Sequence, residues 1–132
     1  MPTILLVDDN QDLLETLSAM LMAAGHRVVG AVNARDAIDR FAESQVDLVI
    51  TDILMPDKDG LELISELHHA ANDLPIIAIS GGGGMVDSLR LLDVAHKFGA
   101  RHILEKPFDT RALLTVIDEA LGRSPAFDGE EA

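Results

Sequence analysis

Short apolar runs separated by helical patterns constrain the fold of this chain more than any other feature of the sequence. Four runs, at residues 4–7, 48–50, 76–79 and 103–104, are apolar without interruption, and residues 27–32 form a fifth candidate. Strands that are apolar on both faces are typical of a parallel sheet covered by helices on each side. We therefore predict five buried, parallel strands.

Helical patterns occupy the segments between and after these runs. Apolar residues recur at helical spacing within residues 13–24, 37–41, 61–71, 86–98 and 113–121. Asn10 and Asp109 are suited to be helix N-caps, and Gly25, Gly99 and Gly122 are suited to end helices. The alternation predicts an α/β fold, a doubly wound five-stranded parallel sheet with five helices. The common strand order for such a chain is 2-1-3-4-5.

The length and the hydropathy pattern suggest how the chain is organised. Its 132 residues, of which 48% are hydrophobic, suit one domain. We expect this domain to span residues 1–122, and residues 123–132, which lack periodicity, to form a flexible tail. No apolar stretch approaches the roughly 20 residues of a membrane span, and the N-terminus lacks the basic region of a signal peptide. We therefore expect a cytoplasmic protein without a membrane partner.

The composition also disfavours several classes of function. The net charge of −13 argues against direct binding of nucleic acid, which depends on Lys and Arg side chains that neutralise phosphates. The absence of cysteine excludes disulfides and thiolate metal sites. The chain has no Trp or Tyr, which weakens the case for a flavin or a nucleotide base held by stacking.

Polar residues follow the predicted strands at the point where each strand ends. Asp8 and Asp9 follow the first strand, and Asp52, Ser80 and Lys106 follow the next three apolar runs along the chain. Open α/β sheets bind ligands beyond the carboxyl ends of their strands, where the strand order reverses. In the order 2-1-3-4-5 the first and third strands are neighbours, so we expect these five residues to share one rim of the sheet.

The residue types on this rim suit phosphoryl transfer assisted by magnesium. Carboxylates brought close together repel one another, and a hard divalent cation such as Mg²⁺, which prefers oxygen ligands, relieves the repulsion. A carboxylate oxygen of Asp52 would still be able to attack an electrophile. Phosphoryl transfer needs mainly positioning and charge neutralisation, which Mg²⁺, the Lys106 ammonium and the Ser80 hydroxyl could supply.

Taken singly, each of these residues has an ordinary structural interpretation. Asp9 could be a helix cap or a turn residue, Ser80 a loop serine and Lys106 a solvated surface lysine. The combination of four strand ends with four suitable groups is what makes the prediction specific.

The segments that carry these residues resemble the receiver domain of bacterial two-component response regulators, in particular stand-alone, CheY-like receivers with a flavodoxin-like fold. The resemblance runs from Ile4 to about Leu121. It is carried by the segments ILLVDDN at 4–10, DILMPDKDG at 52–60, ISG at 79–81, GA at 99–100 and EKPF at 105–108.

The resemblance implies a role for each residue of the acidic group. Asp52 looks like the residue that is phosphorylated by a histidine kinase or a histidine phosphotransfer protein. Asp9 and Asp52 look like direct Mg²⁺ ligands, together with the backbone carbonyl of Leu54. Asp8 resembles the acid that acts through a metal-bound water.

The resemblance also implies a switch. Ser80, Gly81 and Lys106 look like the set that binds the phosphoryl group, with the Ser80 hydroxyl moving towards it and Lys106 pairing with it. The family usually has a cis peptide before the proline that follows its lysine, here Pro107. It also commonly has Tyr or Phe three residues before the lysine, where this chain has Ile103.

Two departures from the family pattern bear on how a signal would leave the site. Ile103 lacks the aromatic ring whose change of rotamer accompanies activation in the family. Alternatively, the side chain at this position simply packs against neighbouring helices. Four consecutive glycines, at 81–84, lie in a segment between Ser80 and Lys106 that is longer than usual by roughly one helical turn, about 3.6 residues. This loop could be mobile, or it could be a permissive surface insertion.

The leading hypothesis is a signalling switch in a phosphorelay, a phosphoprotein and not an enzyme, whose phosphorylation at Asp52 changes its protein partner. Since no effector domain follows Gly122, we expect the output to be another, unknown protein. One alternative is a Mg²⁺-dependent phosphohydrolase with Asp52 as nucleophile, although Leu54 stands where such enzymes commonly place a general acid. Another is an interaction module that keeps the fold without being phosphorylated.

Overall fold

The computed structural model describes residues 1–53, 60–80, 88–106 and 108–122, and for residues 88–92 it describes the backbone only. Strands and helices alternate along these residues. They are β1 (Thr3–Val7), α1 (Gln11–Ala23), β2 (Arg27–Ala31), α2 (Ala34–Glu43), β3 (Leu48–Asp52), α3 (Gly60–Ala70), β4 (Ile76–Ser80), α4 (Ser88–Phe98), β5 (His102–Glu105) and α5 (Thr110–Ala120).

The five strands form one parallel sheet in the order β2-β1-β3-β4-β5, which confirms the predicted fold class and strand order. The register sets the carboxyl ends of the strands side by side. Val7 pairs with Thr51, Asp52 with Ile79, and Ser80 with Glu105. The residues that end β1, β3, β4 and β5 therefore meet at one rim, as the sequence predicts.

The sheet divides the hydrophobic core into two clusters. The α3-side cluster packs residues of α2, α3 and α4 against one face, and the α5-side cluster packs residues of α1 and α5 against the other. Successive residues of β1 alternate between them, with Leu5 in the first cluster and Ile4 and Leu6 in the second. β3 and β4 are buried along their whole length, which explains why their sequences are apolar without alternation.

Capping residues fix the ends of several helices. The side chain of Asn10 accepts a hydrogen bond from the backbone N–H of Leu13 at 3.1 Å, and that of Asp109 accepts one from Ala112 at 2.8 Å. Both residues are the predicted N-caps. Asn33 caps α2 in the same way through the N–H of Asp36, at 2.7 Å.

Three glycines end helices in a backbone conformation that other residues rarely adopt. Gly25, Gly99 and Gly122 have φ values of 97°, 131° and 75°, which glycine tolerates because it has no Cβ.

The helix α4 ends at Phe98, directly before Gly99 as predicted, but this last residue of its apolar pattern is exposed. Phe98 is 39% exposed, whereas Ala95 and Ala100 are buried. The chain turns at Gly99, and the N–H of Ala100 donates to the carbonyl of Ala95 at 3.0 Å. The two small alanines therefore fill the core at this corner, and the phenylalanine ring lies largely outside it.

No helix in the described ranges combines the length and the apolar character needed to span a membrane.

Candidate functional site

Three carboxylates converge at the rim where β1 and β3 end. Asp8 directly follows β1, and its N–H extends the strand ladder by donating to the carbonyl of Ala31 at 3.0 Å. Asp52 is the last residue of β3. Oxygen atoms of Asp8, Asp9 and Asp52 all lie within 4.8 Å of one another. Asp8 is 2% exposed and Asp52 7% exposed, while Asp9 faces solvent.

The surroundings of Asp8 raise its pKa. Burial raises the pKa of Asp8 above its ordinary value, and the negative charges of Asp52 and Asp9 act in the same direction. The N–H of Asn10, which donates to Asp8 Oδ1 at 2.9 Å, and the Lys106 ammonium oppose this shift of the pKa but do not cancel it. The carboxylates are thus crowded, and a bound cation would stabilise the charged form of Asp8.

Lys106 faces this acidic group from the end of β5, which is separated from β3 by β4. Lys106 follows β5, and its N–H donates to the carbonyl of Ser80 at 3.0 Å, which joins β5 to β4 at the rim. Its ammonium nitrogen Nζ lies 3.4 Å from Asp52 Oδ2 and forms a partly buried ion pair. The charged end of Lys106 is therefore next to the carboxylate that the sequence marks as the nucleophile.

Ser80 is brought to the same rim by the register of β3 and β4. It is the last residue of β4, it is 2% exposed, and the strand position before it pairs with Asp52. Ile103 lies on β5, partly buried and packed against the α3-side cluster. An isoleucine here contributes to the core in the described structure, consistent with the packing interpretation.

Three predicted features lie outside the described residues. These are the Leu54 carbonyl as a metal ligand, Gly81 next to the phosphoryl-binding site, and the peptide bond before Pro107. The four-glycine segment and the predicted C-terminal tail also fall there.

The donor set fits a hard divalent cation. All three groups are carboxylates, and Mg²⁺ binds oxygen ligands at about 2.1 Å, so two direct ligands of one ion lie at most about 4.2 Å apart. Carboxylate oxygens within 4.8 Å of one another can therefore share an ion, with one of them reaching it through a water.

Sequence reasoning missed the residues that support the site through their backbone or through small size. Asn10 was identified as a helix cap, but its N–H also holds Asp8. The hydroxyl of Thr51 donates to the carbonyl of Asp52 at 3.1 Å, and Gly60 abuts the same peptide. Asn10 directly follows Asp8 and Asp9 in the sequence, and this position could have indicated its hydrogen bond to Asp8. The approach of Gly60 to Asp52 has no local sequence signature.

Comparison with known proteins agrees with the geometry. The sequence matches the response regulator receiver domain family over residues 4–118. The DNA-binding transcriptional regulator NtrC of Azospirillum brasilense is 36% identical over 119 residues, which cover 90% of this chain and 24% of that protein. The response regulator MprA of Mycolicibacterium vanbaalenii is 34% identical over 126 residues, which cover 96% of this chain and 53% of that protein. The chain thus spans about a quarter to about half of the length of these two relatives.

Solved structures share the whole fold. A response regulator receiver domain protein from Clostridium thermocellum superposes with a TM-score of 0.85 at 28% identity, covering 92% of this chain and 95% of that one. The chemotaxis protein CheY4 of Vibrio cholerae superposes with a TM-score of 0.83 at 25% identity, covering 92% of this chain and 99% of that one. The sequence match, the strand order and the acidic rim all point to the same family. The chain therefore belongs to the response regulator receiver domain family.

Proposed function

We propose that Asp52 accepts a phosphoryl group, with Mg²⁺, from the phosphohistidine of a histidine kinase or phosphotransfer protein, and that this changes the protein partners of the domain in cytoplasmic phosphorelay signalling. The observation that carries the proposal is the position of the Asp52 carboxylate, which has oxygens of two further aspartates within 4.8 Å and the Lys106 ammonium at 3.4 Å. Membership of the receiver family supports the same role.

The chain's own groups account for most of what the transfer requires. An oxygen of Asp52 attacks the phosphorus atom as the bond from phosphorus to the donor's histidine nitrogen breaks, and the carboxylate becomes an acyl phosphate. Lys106 Nζ, 3.4 Å from Asp52 Oδ2, is placed to pair with an incoming phosphoryl oxygen. When bound, Mg²⁺ would neutralise part of the negative charge on the carboxylates and on the phosphoryl group.

The added charge provides a physical basis for switching. A phosphoryl group carries a charge of about −1.5 to −2 at neutral pH, and here it would enter a site whose acceptor is 7% exposed. Buried charge must be neutralised and hydrogen-bonded. We propose that Ser80 and Lys106 move to satisfy the phosphoryl oxygens and so shift a pre-existing equilibrium between two conformations.

We propose that the protein is a phosphoacceptor and not a phosphohydrolase. Such enzymes need a group that protonates the leaving group, and the residue two positions after Asp52 is Leu54, whose side chain carries no exchangeable proton. Incubation with Mg²⁺ and an alkyl phosphate ester, whose alkoxide leaving group must be protonated, should release no inorganic phosphate above the rate of the Asp52→Asn variant. Sustained turnover that depends on Asp52 would contradict this.

Intact-mass spectrometry tests the acceptor role. The wild type, Asp52→Asn and Asp39→Asn are incubated with Mg²⁺ and either acetyl phosphate or a panel of phosphorylated histidine kinases and phosphotransfer proteins. Asp39 is an exposed residue of α2, so its variant has the same change of charge away from the site. The wild type and Asp39→Asn should gain one phosphoryl group and Asp52→Asn none. An equal gain in Asp52→Asn, or no gain in the wild type with any donor, would refute the proposal.

A further inference from the structure

The backbone of Asp52 and Ile53 is enclosed by the first residue of α3. The N–H of Gly60 donates to the carbonyl of Ile53 at 2.7 Å, which joins the start of α3 to the residue after β3. A Cβ atom built on Gly60 would lie 2.7 Å from the Cα of Ile53 and 2.9 Å from its carbonyl oxygen, and closer still to the carbonyl oxygen of Asp52. Real Cβ atoms essentially never approach other atoms this closely.

Glycine is required at position 60 because of space and not because of backbone conformation. The described glycines with positive φ are Gly25, Gly99 and Gly122, and Gly60 is not among them. Other residues are therefore compatible with its backbone angles, and alanine is the better helix former by about 1 kcal/mol. What excludes a side chain is the peptide of the phosphoacceptor itself, which lies where the Cβ would be.

Other contacts hold the same stretch of backbone from different directions. The N–H of Ile53 donates to the carbonyl of Ile79 on β4 at 3.0 Å. The buried hydroxyl of Thr51 donates to the carbonyl of Asp52 at 3.1 Å. These contacts hold the backbone from which the Asp52 carboxylate reaches Asp8, Asp9 and Lys106.

We propose that Gly60 is a positioning residue for phosphoryl transfer: its bare Cα lets α3 abut the Asp52–Ile53 backbone and thereby fixes the Asp52 carboxylate against the metal-binding aspartates and Lys106. The inference rests on the proposed phosphoacceptor function. A side chain at position 60 displaces either α3 or the end of β3. A shift approaching 1 Å at a reacting group lowers rates by up to about 100-fold, so the effect of Gly60→Ala is expected in the range of roughly 10- to 100-fold.

The first experiment compares Gly60→Ala with Gly25→Ala. Gly25 has a φ of 97° and open space around its Cβ position, so its substitution strains the backbone far from the site without touching Asp52. Folded fractions are measured by urea denaturation, Mg²⁺ affinity by isothermal titration calorimetry, and the rate constant of phosphorylation by intact mass at saturating acetyl phosphate. Per folded molecule, Gly25→Ala should match the wild type. Gly60→Ala should bind Mg²⁺ about 10-fold more weakly and be phosphorylated roughly 10- to 100-fold more slowly.

A second pair of variants avoids the steric clash. Thr51→Val keeps the size of a fully buried side chain but removes the hydroxyl that donates to Asp52, and Thr51→Ser restores the hydroxyl. We expect Thr51→Val to lower the phosphorylation rate constant by a few-fold and Thr51→Ser to recover most of the loss. A role in stability alone would leave the rate per folded molecule unchanged in both.

The outcomes separate this inference from the function on which it rests. If the wild type is phosphorylated and Gly60→Ala equals it per folded molecule in both Mg²⁺ affinity and rate, the positioning role is refuted and the acceptor role stands. If Gly60→Ala does not fold, an unchanged rate for Thr51→Val refutes the premise of the proposal, which is that contacts on the Asp52 backbone position its carboxylate. If the wild type binds Mg²⁺ but takes up no phosphoryl group, the proposed function fails, while the Mg²⁺ affinity of Gly60→Ala still decides whether Gly60 positions Asp52. A wild type that does neither overturns both.

Discussion

Replacing Asp8 by asparagine removes a buried negative charge from the rim of the sheet while keeping the size of the side chain. The Asp8 carboxylate is 2% exposed and has oxygens within 4.8 Å of those of Asp52. The amide oxygen of asparagine can still accept the hydrogen bond that the N–H of Asn10 donates to Asp8 Oδ1. The substitution therefore tests electrostatic repulsion with little change in packing.

The repulsion between the two buried carboxylates sets the scale of the effect. Two unit charges no more than 4.8 Å apart repel each other by at least about 3.5 kcal/mol at an effective dielectric constant of about 20. Part of this gain is offset, because the variant also loses the attraction of Asp8 to Lys106 and the extra strength of a hydrogen bond to a charged acceptor. We expect a net increase of about 1–2 kcal/mol in the free energy of unfolding without Mg²⁺ at neutral pH, or about 3–6 °C in Tm.

The dependence on pH follows from the direction of the shift. The pKa of Asp8 in the folded protein is raised above its ordinary value of 3.8, so the folded state binds a proton at a pH where the unfolded chain has released it. The contribution of Asp8 to the free energy of unfolding therefore falls as the pH rises from 3.8 through the raised pKa, and it stays low above that pKa. The advantage of Asp8→Asn should be full at neutral pH and should vanish as the pH is lowered towards 3.8.

Urea denaturation followed by circular dichroism, without and with millimolar Mg²⁺, measures these effects. Mg²⁺ should stabilise the wild type more than Asp8→Asn, because a ligand stabilises the state that binds it more tightly. Asp39→Asn, which removes an exposed charge from α2, controls for the change in net charge and should differ from the wild type by less than about 0.5 kcal/mol. If Asp8→Asn is no more stable than the wild type at neutral pH without Mg²⁺, the repulsion argument is wrong.

Two further predictions concern other parts of the structure. Lys106→Met removes the ammonium 3.4 Å from Asp52 and should lower the free energy of unfolding without Mg²⁺ by about 1 kcal/mol. Lys97→Met, which breaks an exposed ion pair within α4, should change it by less than about 0.5 kcal/mol. Equal losses in urea denaturation would contradict the importance of the site lysine. Gly99→Ala combines a φ of 131° with a Cβ only 2.7 Å from the ring of His68. It should destabilise the fold by about 2–3 kcal/mol and Gly25→Ala by about 1 kcal/mol, and thermal denaturation that ranks the two in the reverse order would refute the role of the His68 contact.

The sequence predicts those parts of the structure that depend on local patterns. The strands follow from short apolar runs, and their order matches the one that is common for a chain of this kind. The N-caps Asn10 and Asp109 follow from side chains that can accept hydrogen bonds from free helix N–H groups. The assembly of Asp8, Asp9 and Asp52 also follows from pattern, because parallel strands end at the same rim. The strands and the caps are encoded within a few residues of where they occur, whereas the meeting of Asp8 with Asp52 follows from the order of the parallel strands.

Features that depend on space between distant segments escape such reasoning. Phe98 is exposed at a corner where Ala95 and Ala100 are buried, and helical spacing alone does not indicate which of these residues enters the core. The contact of Gly60 with Asp52 depends on the approach of α3 to the end of β3. A glycine read from sequence alone indicates a turn or a helix end, whereas here it leaves room for another peptide.

The sheet lies between the α3-side cluster and the α5-side cluster, so we expect substitutions in the two clusters to have independent effects on the free energy of unfolding. Residues such as Ile64 on α3 and Ile117 on α5 are fully buried, yet they lie in different clusters on opposite faces of the sheet. Substitutions at well-separated sites with no common partner usually add within about 0.5 kcal/mol. The two halves of the core can therefore be mutated or redesigned independently, and the strand residues between them are where coupling between the halves must arise.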